Sequence, residues 1–355
     1  MNKKNRNVIV LTGGGTAGHC IPCLALLPIL KKHFDDIVYI GSENGIEKKL
    51  ANEKGLDYHS VACIKLERRL TIKNLAIPFT LLKGIKEAKK ILTELSPSVV
   101  FSKGGYVSLP VAIAAANLNI PVALHESDLS LGLANRIASK YADVVCTGFQ
   151  STAEDIKNGV FTGNPLREEL LNKREDRAIY DKLNLDKTKR TLLVFGGSQG
   201  AEKINETLYS ALDELLKSYN IIHAAGKGKL RDIKKKGYYG VEYLTDIGTA
   251  FSIADVCVSR AGANALAETV ALKIPTVAIP LPKGNSRGDQ EENAAYYEKR
   301  GAIRVIKESE LTAKKMIREI ETAYKTRDGL KKHCEKCIPL SPNLKIVDEI
   351  IKITR

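Results

Sequence analysis

The chain has 355 residues, enough for about two domains of ordinary size. A hydrophobic fraction of 44% excludes a disordered or fibrous composition, and a formal charge of +14 predicts an anionic partner. The N-terminal "MNKKNRNVIVLTGGG" has too short an apolar run for a signal peptide. No stretch reaches the roughly 18 apolar residues of a membrane span, so a cytosolic protein is expected.

The first strand-like run, Val8–Leu11, leads into "GGGTAGH". Strand-like and helical runs then alternate, with strands expected at Ile37–Ile40, Val99–Phe101, Val122–Leu124 and Val144–Cys146. Pro110, Asn117, Asn119 and Pro121 divide residues 107–124 into a helix followed by a strand. "FTGNPLREEL" (161–170) breaks structure and marks a crossing to a second domain. There the alternation resumes at Thr191–Phe195, Ile221–Ala224, Val256–Val258 and Thr276–Ile279. "IPLSPN" (338–343) marks a return crossing, and a last helix, Leu344–Ile353, is expected to rejoin the first domain. Several runs are continuously apolar, as parallel strands covered on both faces are. The expected fold class is α/β, with two Rossmann-like domains facing across a cleft: residues 1–163 plus 341–355, and residues 164–340.

Aligning Gly14-Gly15 with Gly196-Gly197 gives an offset of 182 residues (196 − 14), so the repeat is one of whole domains. A glycine turn after a parallel strand aims unpaired backbone amides and a helix dipole at one point, where phosphate binds readily. In the second copy Gly196 and Gly197 turn the chain, Ser198 adds a hydroxyl and Gly200 lets a ligand approach. The other reading is a tight turn alone. In the first copy Gly13 to Gly18 satisfies G-x-G-x-x-G, which leaves a dinucleotide site open, but His19 follows directly and such a site does not require it. An imidazole with an unperturbed pKa of about 6.5 suits proton removal near neutral pH. Local packing or capping is the alternative for His19.

A third loop, "VSRAGANALAE", has Gly262 opening a helix and Glu268 placed to accept two hydrogen bonds from vicinal ribose hydroxyls, or to remain a solvated helix residue. In "GDQEENA", Asp289, Gln290 and Asn293 reach towards a sugar, although capping alone would explain Asp289. The seven cysteines are expected as thiols. Cys20/Cys23 and Cys334/Cys337 leave zinc open, with packed thiols the plainer reading. Residues 64–90 mix Lys65, Arg68, Arg69, Lys73, Lys83, Lys86, Lys89 and Lys90 with Leu75, Ile77, Phe79, Leu81 and Leu82. Such a mixture suits an anionic membrane surface or ordinary amphipathic packing. Nucleic acid is not expected, because no motif interleaves aromatics with bases.

"GGGTAGH", "FSKGGYVSLP", "LHESD", "GNPLR", "FGGSQGA", "SRAGANALAE" and "DQEENA" occur in the order they have in the MurG family, which the chain resembles over nearly its whole length. The resemblance implies a GT-B fold, UDP-GlcNAc as donor and inverting transfer to the muramoyl C4 hydroxyl of lipid I, giving lipid II at the cytoplasmic face of the membrane. No metal or cofactor is expected. It implies that Thr16, Ala17, Gly18 and His19 line the acceptor-side loop against the donor diphosphate, with His19 as base. Arg167 and Ser198 would hold phosphate. Leu244 and the run Ala263, Asn264, Ala265, Leu266, Ala267 and Glu268 would hold uridine, Gln290 would meet the sugar, and Tyr106 would lie near the acceptor. Residues 64–90 would dock on the membrane. The chain departs from the family in two places. "HESD" replaces the usual "HEQN", so Asp128 stands where an amide donates and becomes a second candidate for the base role. Asp289 stands where glutamine or histidine is usual. A UDP-GlcNAc 2-epimerase and a non-catalytic nucleotide-sugar-binding protein are the alternatives.

Overall fold

A computed structural model describes residues 6–65, 75–171, 178–197, 199–284 and 286–354. The chain forms two compact units, Met1–Arg167 with Leu340–Arg355, and Glu168–Pro339. The expected boundaries, 163/164 and 340/341, would have placed Arg167 in the second unit; it ends the first segment of unit 1.

Unit 1 is built on seven parallel strands: β1 (Val8–Thr12), β2 (Asp36–Gly41), β3 (Asp57–Ser60), β4 (Val99–Ser102), β5 (Val122–Glu126), β6 (Val144–Thr147) and β7 (Gly159–Phe161), in the order β3-β2-β1-β4-β5-β6-β7. Alternate residues of one strand point to opposite faces, and here both faces are covered. Ile9, Leu11, Phe101 and Ala123 pack under Leu24, Leu27 and Leu30 and under Ile346, Val347 and Ile350 of the last helix. Val8, Val10, Val100 and Val122 pack on the other side against Ala88, Leu92, Val111 and Ala115.

The last helix, Pro342–Ile353, belongs to unit 1. Asn343 anchors it: its Oδ1 accepts from Leu166 N at 2.8 Å, and its Nδ2 donates to Leu166 O at 2.8 Å and Ala25 O at 3.2 Å. One buried amide therefore ties the returning chain to the segment that leads to Arg167.

Unit 2 has six parallel strands: β8 (Arg190–Phe195), β9 (Tyr219–Ala224), β10 (Tyr238–Val241), β11 (Val256–Ser259), β12 (Thr276–Ala278) and β13 (Arg304–Val305), in the order β10-β9-β8-β11-β12-β13. Leu192, Val194, Val256 and Val258 face Ile204, Leu208 and Ile320, while Leu193, Phe195 and Cys257 face Leu170 and Phe251. In each unit the strand order reverses beside the first strand, between β1 and β4 and between β8 and β11. Open α/β sheets bind ligands at such a switch point, outside the carboxyl ends of the strands.

Among the described residues no helix is long and apolar enough to cross a membrane, and no cluster of His, Cys, Asp or Glu is arranged to hold a metal. All seven cysteines are free thiols and only Cys63 is not buried.

Replacing Asn343 with Ala would leave the Leu166 amide and two carbonyls without their partner. Loss of such buried bonds costs about 1–3 kcal/mol each at most sites, so a destabilisation of roughly 3 kcal/mol is expected, read as a lower denaturant midpoint for the transition that reports unit 1.

Candidate active site

In unit 1 the switch point is made by two loops in direct contact. β1 runs into Gly13–Thr16 and then the helix Ala17–Leu24, and β4 runs into Lys103–Tyr106. Gly15 has φ +82°, and a Cβ there would collide with the ring of Tyr106. A Cβ at Gly105 (φ +85°) would lie 2.5 Å from Gly14 O and 3.4 Å from His19 Nδ1. No side chain fits between the loops, so they register against each other through backbone and the tyrosine ring.

His19 lies in the first turn of its helix and is half-buried. Its backbone N–H donates to Thr16 O at 3.1 Å, and its Nδ1 is paired with Thr16 Oγ1 at 2.9 Å. Thr16 is the N-cap residue, but its hydroxyl meets the imidazole rather than a helix amide. Thr16 and Gly18 are exposed and Ala17 is half-buried, so this loop reaches solvent.

Beneath this loop lies a group that sequence reasoning missed. Glu47, in the first turn of the helix Ile46–Glu53, is 0% exposed. Its carboxylate accepts from Gly15 N at 3.3 Å, Ser42 N at 3.1 Å and Ser42 Oγ at 2.5 Å. Tyr39 donates its hydroxyl to Gly13 O, and Tyr58 donates to Ser42 O at 2.5 Å. The two tyrosine rings stack with centroids 6.0 Å apart. The Gly15 amide is thus committed to the protein's own carboxylate. Burial pushes the Cys20 thiol up to about 11 and raises the Tyr106 hydroxyl above its usual value, so neither ionises near neutral pH.

β5 ends in the loop that carries Asp128. Glu126 organises this loop: its Oε1 accepts from Asp128 N at 3.0 Å, and its Oε2 accepts from Gly132 N at 3.0 Å and Asn135 Nδ2 at 2.9 Å. Asp128 itself is half-buried. Arg167 is also half-buried, at the end of a segment held by the His125 Nε2 bond to Gly163 O at 2.9 Å and by Asn343.

In unit 2 β8 leads through Gly196–Gly200 into the helix Glu202–Leu215. Ser198 lies outside the described residues. Gly200 was expected to admit a ligand, but its close neighbour is protein: a Cβ there would strike the carbonyl of Ala225, after β9. Asn205 Nδ2 donates to the same carbonyl at 2.8 Å, and Asn205 Oδ1 meets His223 Nε2 at 3.0 Å. Gly197, by contrast, has φ +87° and no atom within 4 Å of where a Cβ would stand, so that turn is open.

After β11, Gly262 caps the helix Ala263–Ala271. Glu268 is buried at 6% exposure rather than solvated, and Asn264 and Ala265 are half-buried. Ala263 is buried, and Leu266 and Ala267, expected at the uridine, are at most 1% exposed and have no surface to offer a ligand. Leu244 packs with Ala265 on the cluster of Phe195 and Phe251. Arg260 NH1 donates to Ile279 O at 3.2 Å and its other terminal nitrogen pairs with Glu308, which braces the loops after β11 and β12. Gln290 Oε1 accepts from Leu281 N at 3.0 Å. Asp289 is not the cap of its helix, since Gly288 holds that position; the carboxylate lies 3.9 Å from Arg287 Nε.

Outside the loops, the basic stretch resolves into a helix, Ile77–Leu95. Gly84, Ala88 and Leu92 form its buried face, while Phe79 and Leu82 are 76% and 64% exposed, with Leu75 just before them at 72%. Packing therefore does not account for these three. Arg68, Arg69 and Lys73 lie outside the described residues. Phe79, Leu82, Lys83, Lys86 and Lys90 fall at i, i+3, i+4, i+7 and i+11, one stripe of the helix.

Residues 9–147 match the glycosyltransferase family 28 N-terminal domain, and residues 191–346 match the C-terminal domain of that family. A Clostridium perfringens (strain 13) protein, a UDP-N-acetylglucosamine--N-acetylmuramyl-(pentapeptide) pyrophosphoryl-undecaprenol N-acetylglucosamine transferase, is 44% identical over 325 residues, covering 90% of this chain and 91% of that one. The Clostridium novyi (strain NT) protein of the same name is 42% identical over 350 residues, 97% of each chain. A crystal structure of Acinetobacter baumannii MurG shares the fold with a TM-score of 0.77 at 25% identity, covering 98% of this chain and 99% of that one. The glycotransferase of kitacinnamycin shares it at 0.74 and 14% identity, covering 99% and 100%. These matches run through both units, and the chain belongs to the MurG family of N-acetylglucosaminyltransferases, with the two-domain GT-B fold of glycosyltransferase family 28.

Proposed function

We propose that this protein transfers GlcNAc from UDP-GlcNAc to the C4 hydroxyl of the MurNAc of lipid I, with inversion, forming lipid II. The observation that carries the reading is the unbroken likeness to relatives of that activity across both units, together with a histidine held at the switch point of unit 1.

His19 is the base. With the ring hydrogen on Nδ1 and donated to Thr16 Oγ1, Nε2 is left to take the acceptor proton. Tyr106 and Asp128 flank the acceptor from the neighbouring strand ends. Negative charge grows on UDP as the glycosidic bond breaks. The amides of the open turn at Gly197, the dipole of the helix Glu202–Leu215, Ser198 and Arg167 stabilise that charge more in the transition state than in the ground state. Glu268 accepts from the ribose hydroxyls, the backbone and small residues Ala263–Ala265 border the uridine, and Gln290 gives its amide hydrogens to the sugar. Phe79, Leu82 and the lysines of their stripe dock on anionic lipid, which places the enzyme peripherally on the cytoplasmic face of the membrane.

Four measurements test this reading. UDP release is expected with UDP-GlcNAc plus a lipid I analogue, much less with UDP-glucose, and none without acceptor; epimerised sugar from UDP-GlcNAc alone would overturn the assignment. His19→Ala is expected to lower turnover by about 10²–10⁴ with donor affinity little changed, the usual worth of a positioned base. Phe79→Asp with Leu82→Asp is expected to abolish sedimentation with phosphatidylglycerol vesicles while leaving turnover on a short-chain, soluble acceptor intact. Glu47→Gln is expected to fold but to slow turnover about tenfold, since a loss of roughly 1.4 kcal/mol in loop positioning is worth a factor of ten.

A further inference from the structure

His223 lies on β9 at 0% exposure and takes no part in the proton transfer proposed above. Two residues of the helix Glu202–Leu215 meet it: the Tyr209 ring stands edge-on with centroids 5.5 Å apart, and Asn205 is within hydrogen-bond reach. The bonds around the ring settle where its hydrogen sits. The Ala225 carbonyl can only accept, so the Asn205 atom 2.8 Å from it is the amide nitrogen. Asn205 Oδ1 is thereby turned to His223 Nε2 at 3.0 Å, and an amide oxygen also only accepts, so Nε2 carries the hydrogen. Nδ1 is left as acceptor, and the Tyr238 hydroxyl, 3.0 Å away on β10, donates to it. Burial lowers the imidazolium to about 4, so the ring is neutral near neutral pH.

Every donor in the series Tyr238, His223, Asn205 therefore points the same way, and the series ends on the Ala225 carbonyl. The other ring tautomer, or a turned amide, would set like groups face to face in a buried place. That carbonyl is where the network meets the turn after β8. Gly200 (φ +69°) packs directly on it, and a Cβ at the next residue, Gly226, would lie 2.7 Å from Gly200 N and 2.8 Å from Gln199 O. Lys229 Nζ donates to the same Gln199 carbonyl at 3.0 Å. Gly200 N in turn donates to Gly197 O at 3.0 Å, which closes the turn whose Gly197 end is open.

We propose that His223 is a positioning residue for the donor diphosphate: by fixing the Asn205 amide it holds the Ala225 carbonyl against Gly200 and keeps the turn at Gly197 in the form that receives phosphate. The inference rests on the diphosphate reading of that turn given above. His223 acts through Asn205 and Ala225, so its loss loosens the turn without deleting a ligand contact. All of these residues belong to unit 2, so the acceptor loop of unit 1 keeps its own support.

Two substitutions at one position test it. His223→Phe keeps a ring beside Tyr209 and removes both nitrogens, whereas His223→Gln keeps an N–H that can reach Asn205 Oδ1. UDP affinity is measured by calorimetry without acceptor, and the KM values for UDP-GlcNAc and a lipid I analogue are measured separately. His223→Phe is expected to raise the UDP Kd and the donor KM about tenfold, the usual worth of one buried bond in a network, with the acceptor KM unchanged. His223→Gln is expected to recover most of that loss. A folded His223→Phe protein that binds UDP as the parent does would overturn the proposal. So would a Gln variant no better than Phe, with both KM values rising together, because that is the signature of general destabilisation. If His223→Phe does not fold, Asn205→Ser, which withdraws the amide from Ala225 O, is read in the same way. A parent that binds no UDP removes the functional reading and this inference with it, an outcome distinct from a parent that binds UDP and a variant that binds it equally well.

Discussion

A carboxylate closed off from water must be met by donors, and the first glycine loop takes the shape that meets this demand. Glu47 holds the Gly15 amide from below, Tyr39 holds the Gly13 carbonyl, and Tyr106 lies on Gly15 from the next strand end. With Gly13 and Gly15 fixed in this way, the helix that follows starts at a defined point, and His19 comes out in its first turn beside Thr16. A histidine in the proposed role needs its orientation set before substrate arrives, and here the loop that carries it is held by a buried carboxylate that follows the next strand in sequence.

The two glycine loops look alike in sequence and are supported differently. In unit 2 the neighbours of the turn are a backbone carbonyl and an amide side chain. Gly200 instead packs against the carbonyl of Ala225, which Asn205 also binds, and His223 stays neutral because burial lowers it to about 4. The turn at Gly197 is left open. A loop with an anion beneath it is poorly suited to hold a second anion, whereas one braced by an amide and a neutral ring is well suited. The chemistry of support thus suits the roles proposed above, proton removal at the unit 1 loop and diphosphate stabilisation at the unit 2 loop.

The central strands were legible because β1, β4, β5, β8 and β11 are apolar on both faces, a pattern that needs no partner to interpret. The edge and late strands β3, β7, β10 and β13 were not. "DYHS", "GVF", "YYGV" and "RV" are short and half-exposed, and they are strands only because a neighbour offers a free ladder. The glycine loops, His19 and Glu268 were visible as residue types in the right order. Glu47 and Lys103 were not, since a glutamate in "GIEKKL" and a lysine before "GG" read as solvated. The available signal was position: Lys103 continues a fully buried strand, and Glu47 opens a helix after the strand beside β1. Burial of Leu266 and Ala267 was likewise invisible, because a helix facing a ligand and a helix facing a core share one period.

Charge placement gives the last step. The chain carries a strong positive excess, yet the centre of unit 1 holds Glu47, Glu126 and Asp128 with Lys103 as the buried cation among them. Four lysines lie elsewhere, on the helix Ile77–Leu95, where exposed Phe79 and Leu82 accompany them. Long-range attraction to an anionic surface depends on the sum of exposed charge, whereas the ionisation of a base depends on its immediate neighbours. A protein that approaches a negative surface and removes a proton from a neutral hydroxyl, as proposed above, benefits from keeping the two demands on separate elements.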